Sequence, residues 1–209
     1  MRHSGFLILA ASLVFGMATT AAADGGGGGG FWEKMSGPGK WAYGYGYFSL
    51  CLKGPKVTVE NNKERCRYTS GRLWLNLGGS FATTGDENQR DLVSPDLKAY
   101  SFEPSVDFRV LPWASNPDDD RGRAIFVGVG AGVHHFRGED VAFTRPSVSL
   151  RLSAIVYRHK EGTYLGVRYT LGAFLEGFTA EDFGDPVGSY STNGADRAQT
   201  FSVFVHLGH

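Results

Sequence analysis

The stretch SFEPSVDFRV, Ser101 to Val110, alternates with a period of two. Phe102, Pro104, Val106, Phe108 and Val110 form one set; Ser101, Glu103, Ser105, Asp107 and Arg109 form the other. Successive side chains of a β-strand point to opposite faces, so each set has a face of its own. The first face requires an apolar medium. The second carries three charges within seven residues, which need partners or solvent. Pro104 removes a ladder donor and marks an expected bulge.

The same pattern recurs along the chain. Leu73, Leu75, Leu77, Gly79 and Phe81 oppose Arg72, Trp74, Asn76, Gly78 and Ser80. Ile125, Val127, Val129, Ala131 and Val133 oppose Phe126, Gly128, Gly130, Gly132 and His134. Val148, Leu150, Leu152, Ala154 and Val156 oppose Ser147, Ser149, Arg151, Ser153 and Ile155. Leu165, Val167, Tyr169 and Leu171 oppose Gly166, Arg168, Thr170 and Gly172, in a pattern that continues to Glu176. Phe201, Val203, Val205 and Leu207 oppose Ser202, Phe204, His206 and Gly208. A first strand is expected in WAYGYGYFSLCL, residues 41–52, with Trp41, Tyr43, Tyr45 and Tyr47 on one face. An eighth, weakly patterned strand is expected between Val57 and Tyr68, closed by a turn at Thr69–Ser70–Gly71. Tight connection is also expected at 159–162, and longer polar loops at 84–97, 111–122, 137–144 and 179–197. The result is an all-β antiparallel meander, with 30 glycines and 13% aromatic residues in support.

Alternation fits a soluble barrel or sandwich as well as a membrane barrel. Four features select the membrane form. Several segments exceed the roughly 9–11 residues that a tilted strand needs to cross a bilayer, against about 5–6 in soluble sheets. Their apolar faces are pure, while the opposite faces mix small residues with few charges. Those charges balance: Glu103, Asp107 and Glu176 against Arg109, Arg151 and Arg168. Charges removed from water must be paired, so these six residues are expected to form a network in the lumen. Finally, Trp41, Tyr43, Phe81, Tyr100, Phe136, Phe143, Tyr157, Tyr164 and Phe178 gather near strand ends, where interfacial girdles lie.

The amino-terminal region reads as an export signal: a basic start, an apolar core from Phe6 to Met17, and Ala21–Ala22–Ala23 as a cleavage site, giving a signal peptide over 1–23. Gly25 to Gly30 reads as a flexible linker. Phe31, Trp32 and Met35, with Glu33 and Lys34 between them, read as a short amphipathic helix stopped by Gly37–Pro38–Gly39. Residues 24–40 are thus a linker and helix, and 41–209 the barrel. Cys51 and Cys66 are expected to be joined, since an exported chain with two cysteines favours one disulfide. Closing a loop of about 15 residues stabilises by roughly 3 kcal/mol. The net charge is +0, which gives no argument for nucleic acid.

Over residues 41–209 the chain resembles the small bacterial outer-membrane β-barrel class. The resemblance rests on strand pattern and on the last strand, where Phe201, Val203, Val205 and Leu207 match the alternate apolar positions read by the barrel-assembly machinery. The terminal residue is His209, where that class usually ends in Phe. The resemblance implies a monomer in contact with outer-membrane lipids and lipopolysaccharide. The layout of a helix before the barrel is similar to that of lipid A palmitoyltransferase barrels.

Candidate chemical sites are few. His134 and His135 point to opposite faces of one strand and do not act together. Lipid A deacylase barrels carry His and Ser two apart on one face; here Phe136 follows His134 at that spacing. Gly128, Gly130 and Gly132 are expected to relieve crowding opposite Trp74, Phe126 and Phe174. Asp118–Asp120 reads as a solvated acidic turn, and two cysteines without matching histidines make no zinc site. No catalytic residues, metal or cofactor are assigned. The expectation is an eight-stranded outer-membrane barrel with a plugged lumen and a structural or interaction role through its loops. Its rivals are a lipid-modifying membrane enzyme and a soluble lipocalin-like lipid-binding barrel.

Overall fold

The computed structural model forms ten strands among the described residues: β1 (Asp24–Glu33), β2 (Trp41–Lys53), β3 (Lys56–Val59), β4 (Lys63–Cys66), β5 (Leu73–Thr84), β6 (Lys98–Pro112), β7 (Ala124–Arg137), β8 (Ala142–Lys160), β9 (Thr163–Phe174) and β10 (Arg197–Leu207). The structure describes residues 24–33, 41–54, 56–59, 63–66, 68–69, 71–84, 98–112, 124–138, 141–160, 163–178, 182 and 197–207. The expected signal segment 1–23, the expected acidic turn 118–120 and His209 lie outside them.

Eight strands close a barrel in the order β1, β10, β9, β8, β7, β6, β5, β2; β3 and β4 form a separate two-stranded sheet. Every barrel pair is antiparallel. Full closure removes both sheet edges, so each strand finds partners on both sides. The apolar sets point outward: Phe102, Phe108 and Val110 are 58%, 50% and 50% exposed, while Asp107 between them is 1% exposed. This is the inverted distribution of a transmembrane β-barrel, with lipid as the outer medium and polar residues within.

Two expectations about the strand list are corrected together. The segment 56–66 is not a wall strand but the hairpin β3–β4, with Lys56 opposite Cys66 and Val59 opposite Lys63. The eighth wall strand is the glycine run. β1 pairs with β10 from Gly25 opposite Leu207 to Glu33 opposite Gln199, and with β2 from Asp24 opposite Ser49 to Trp32 opposite Trp41. The barrel therefore begins at Asp24, and Gly25–Gly30 is no linker. Phe31 and Trp32 belong to this strand, so the expected amphipathic helix does not start there; residues 34–40 lie outside the described residues. The physical reason is plain. A ladder is made by backbone N–H and C=O groups, which glycine has in full, whereas periodicity is read from side chains, which glycine lacks.

Glycine is also required on the inner side of β1. A Cβ at Gly28 or Gly30 would overlap the carbonyl oxygen of Val203 or Phe201, and one at Gly26 would lie 2.8 Å from the Tyr47 hydroxyl. The space that β1 side chains would take is filled by Tyr47, Phe204 and His206, all buried.

The expected bulge at Pro104 is absent. Pro104 pairs in register with Leu77, and the register of β6 against β7 shifts instead between Arg109 and Leu111. The aromatic girdle is also smaller than expected. Tyr100 and Tyr157 are exposed, and Tyr100 packs beside Phe81 with ring centroids 5.2 Å apart. Phe136, Tyr164 and Phe178 are buried instead, because they close the two mouths from within.

One mouth, at the end of Asp24 and Leu207, holds Trp74, Phe126, Ile155, Tyr164 and Phe204 around Tyr68. Tyr68 follows β4 and enters the lumen. Its ring stacks on His206 and Phe126, with centroids 3.6 and 5.1 Å away, and lies tilted against Trp74 at 5.1 Å. The Cys51–Cys66 disulfide, with Cα atoms 6.1 Å apart, ties this plug to β2. Alkylation of the folded protein without reductant is expected to leave both cysteines unmodified. Replacing Cys51 with serine should lower stability by about 2–5 kcal/mol and leave the barrel closed, as read by unfolding in urea. Free thiols in the folded protein would contradict this arrangement. The other mouth is closed by Phe136, Phe174 and Phe178 against Ala82, Ala99 and Ala198.

Candidate functional site in the lumen

Between the two aromatic clusters lies a polar layer, and the glycine stripe of β7 decides its geometry. Gly128 stands between Asp107 of β6 and Arg151 of β8. Its neighbours Gly130 and Gly132 also face inward. With no side chains on β7 here, groups two strands apart can meet over it, though β6 and β8 are separated by two strand spacings of about 4.8 Å. Arg151 reaches across: Nη1 donates to Ser105 Oγ at 2.7 Å and Nη2 to Glu103 Oε2 at 2.8 Å. A Cβ at Gly132 would lie 2.7 Å from Glu103 Cγ, and one at Gly128 would overlap the Asp107 carboxylate. The stripe does relieve crowding, but the crowding groups are Asp107 at Gly128, Glu103 at Gly132 and Ser149 at Gly130, not Trp74, Phe126 and Phe174.

Of the six residues expected to form one network, four stay in the lumen, in three separate places. Glu103 and Arg151 form an ion pair, with side chains 22% and 9% exposed. Asp107 is buried but has no arginine in ion-pair contact among the described residues. Its Oδ2 accepts from Asn76 Nδ2 at 2.9 Å, and Asn76 Oδ1 accepts from Ser49 Oγ at 2.5 Å. Arg168 is buried without a carboxylate partner among the described residues. Its Nε donates to Ser153 Oγ at 3.0 Å, and its guanidinium carbon lies 5.1, 5.0 and 4.9 Å from the ring centroids of Tyr45, Tyr47 and Phe204. Aromatic faces thus take the place expected for an acid.

Arg109 and Glu176 leave the network altogether. Arg109 lies near the register shift at the end of β6, and its Nη1 donates to the Thr69 carbonyl at 2.6 Å, bracing the plug. Glu176 falls beyond the end of β9, where alternation no longer sets its direction. Its side chain is 65% exposed and lies 3.8 Å from Arg145. Arg145 also pairs with Asp182 at 2.5 Å and donates to the Gly177 carbonyl at 3.3 Å, holding down the segment that carries Phe178.

His134 faces the lumen and His135 the outside, as their strand parity requires. His134 Nε2 lies 2.7 Å from Ser147 Oγ and 3.9 Å from Glu103 Oε1. Sequence spacing did not bring Ser147 forward, because the contact is made across strands. The connection of β7 to β8 is shorter than the expected 137–144, with Gly138 N donating to the Val141 carbonyl. This tight turn sets Ser147 opposite Gly132 and diagonal to His134. Serine, histidine and carboxylate thus assemble, but hydroxyl and carboxylate face the same ring nitrogen. In a nucleophilic triad the acid orients the imidazole through the other one.

A cavity of about 70 Å³ opens within this layer, lined among others by Tyr45, Ser149, Arg151, Arg168, Thr170 and Thr200. No group of three or more histidine, cysteine or acidic residues among the described residues is placed to hold a metal ion.

No family model and no curated protein matches this chain. Among solved structures, the crystal structure of Neisserial surface protein A (NspA) superposes with a TM-score of 0.50 and 11% sequence identity. The match covers 90% of this chain and 96% of that one. At such low identity the likeness is one of fold: two chains of similar extent that close the same kind of barrel.

Proposed function

We propose that this protein is an outer-membrane β-barrel, exported by the signal segment 1–23, whose plugged lumen rigidifies a scaffold for its loops. Its role is structural or interactive rather than enzymatic. One observation carries the reading: Leu150, Leu152, Phe201 and Val203 are about half exposed on the outer wall while Asp107, Arg151 and Arg168 are buried inside. In water that arrangement leaves an apolar belt uncovered; in lipid that cost vanishes, and the charges stay in the lumen, away from the hydrocarbon. Both described ends of the chain, Asp24 and Leu207, share one mouth with the plug, which leaves the opposite loops as the presenting surface.

The test is fractionation of the producing bacterium with gel mobility before and after boiling. Recovery with the outer membrane and a heat-dependent shift are expected; recovery wholly in the soluble periplasm refutes the reading. Mass spectrometry of lipid A from a deletion strain tests the absence of lipid-modifying activity, which predicts an unchanged acylation pattern. Leu150→Arg, near the middle of β8, is expected to cost about 2–4 kcal/mol when the barrel refolds into bilayers. A neutral outcome there would place Leu150 away from lipid.

A further inference from the structure

We infer that the lumen cavity is a binding site for a small carboxylate anion, with Arg168 as the group that holds it. Arg168 is 5% exposed, and Nη2 has no hydrogen-bond partner. Burying a guanidinium is expensive, and a donor left unmade adds to the expense. Three aromatic faces about the cation offset part of that cost. They act through the ring faces, however, and do not consume the in-plane N–H donors. The cation is kept charged with donors to spare, which is the state an anion receptor requires.

The rest of the lining agrees. Arg151 is already matched by Glu103, so the charge on the cavity wall left without a directly paired partner is that of Arg168. Asp107, the other buried acid of the layer, is engaged through Oδ2 with Asn76, while its Oδ1 has no hydrogen-bond partner. Ser149, Thr170 and Thr200 bring hydroxyls to the wall, and these donate to an anionic oxygen as readily as they accept from a cation. Size sets the ligand class. A water needs about 10–15 Å³ of such space, so the cavity of about 70 Å³ takes a few waters or one anion of four to six non-hydrogen atoms. Acetate is the simplest member of that class. The competing occupant is water alone, accepting from Arg168 Nη2 and bonding to the wall hydroxyls.

The experiment uses the refolded full barrel in detergent micelles and does not depend on where the protein resides in the cell. Thermal unfolding is followed in sodium acetate and in sodium chloride at equal ionic strength, with titration of acetate by calorimetry. A saturable rise in the unfolding midpoint specific to acetate is expected. Arg168→Met should abolish it. Because that variant removes a buried cation and risks misfolding, Gly172→Val provides the second arm. Gly172 lines the cavity, and a Cβ there meets nothing nearer than 3.7 Å, so the side chain fills the space while Arg168 remains. Gly172→Val should fold, as shown by its heat-dependent gel mobility, and lose the acetate response. No saturable response in the parent protein means that water alone occupies the cavity and overturns the inference. An undiminished response in Gly172→Val also overturns it, because binding then lies elsewhere.

Discussion

Gly28→Val is expected to abolish the closed barrel, while Gly46→Val leaves it assembled. The two glycines lie on adjacent strands, β1 and β2, and are both in extended wall strands. They differ in what a side chain would meet. At Gly28 a Cβ overlaps the Val203 carbonyl oxygen and comes within 2.8 Å of Phe204 Cα, and neither is a flexible group that can swing away. The only relief is to displace β1 or β10. Because β1 is paired on both sides, displacement breaks two ladders and opens a seam along the wall. In lipid each backbone group so released costs several kcal/mol, which exceeds the whole stability of a typical domain after only a few such losses. At Gly46 a Cβ meets nothing nearer than 3.9 Å. Refolding yield and heat-dependent mobility of the two variants read the difference. A Gly28→Val protein that refolds and melts like the parent would show that β1 does not close the wall as described.

The second large effect concerns the pair that spans β7. Glu103→Ala is expected to destabilise by about 3 kcal/mol, the lower end of the range for breaking a buried pair. Glu103 keeps 22% of its side chain exposed, and that access softens the loss. Arg151→Met should cost a comparable amount. The double variant Glu103→Ala with Arg151→Met should recover part of the loss, since no uncompensated charge remains. Asp107→Asn, which leaves the Glu103–Arg151 pair in place, should cost nearer to 1 kcal/mol. Urea unfolding of the four variants forms a double-mutant cycle with its control. Strict additivity of the two single losses would show that Glu103 and Arg151 do not interact.

The fold class was legible because alternation of long apolar and small-polar faces leaves few architectures open, and β5 through β10 follow it except at the register shifts near the ends of β6 and β8. Legibility failed where the signal is carried by something other than side-chain period. β1 has backbone partners throughout but almost no side chains to betray them. The β3–β4 hairpin looked like wall because a short extended segment is the same in a plug as in a barrel; its destination is set by the Cys51–Cys66 bond and by Tyr68 entering the lumen. The inward-facing charges were legible as a set, but not their partners. Arg151 passes over Asp107, across the same rung of β7, to reach Glu103, a choice that depends on the empty inner face at Gly128, Gly130 and Gly132. Arg168 was expected to find an acid and found aromatic rings, because Tyr45, Tyr47 and Phe204 converge only after β2 and β10 are brought to the two sides of β1. Glu176 was misplaced by extending alternation past the strand end.

The pairing of β1 with β10 imposes an order of events on the growing molecule. The first wall strand is synthesised before all the others, and one of its two partners is the last to appear. Until Leu207 emerges, β1 waits with one row of backbone groups unmatched. A waiting strand of valine and isoleucine would be a template for other copies of the chain, since exposed edges of high β-propensity recruit further strands. A run of glycines offers hydrogen bonds but no adhesive side chains, and it pays the largest entropic penalty for being held extended. Such a strand stays unstructured when alone and orders only when both neighbours present themselves together. Closure then becomes a late, all-or-nothing step.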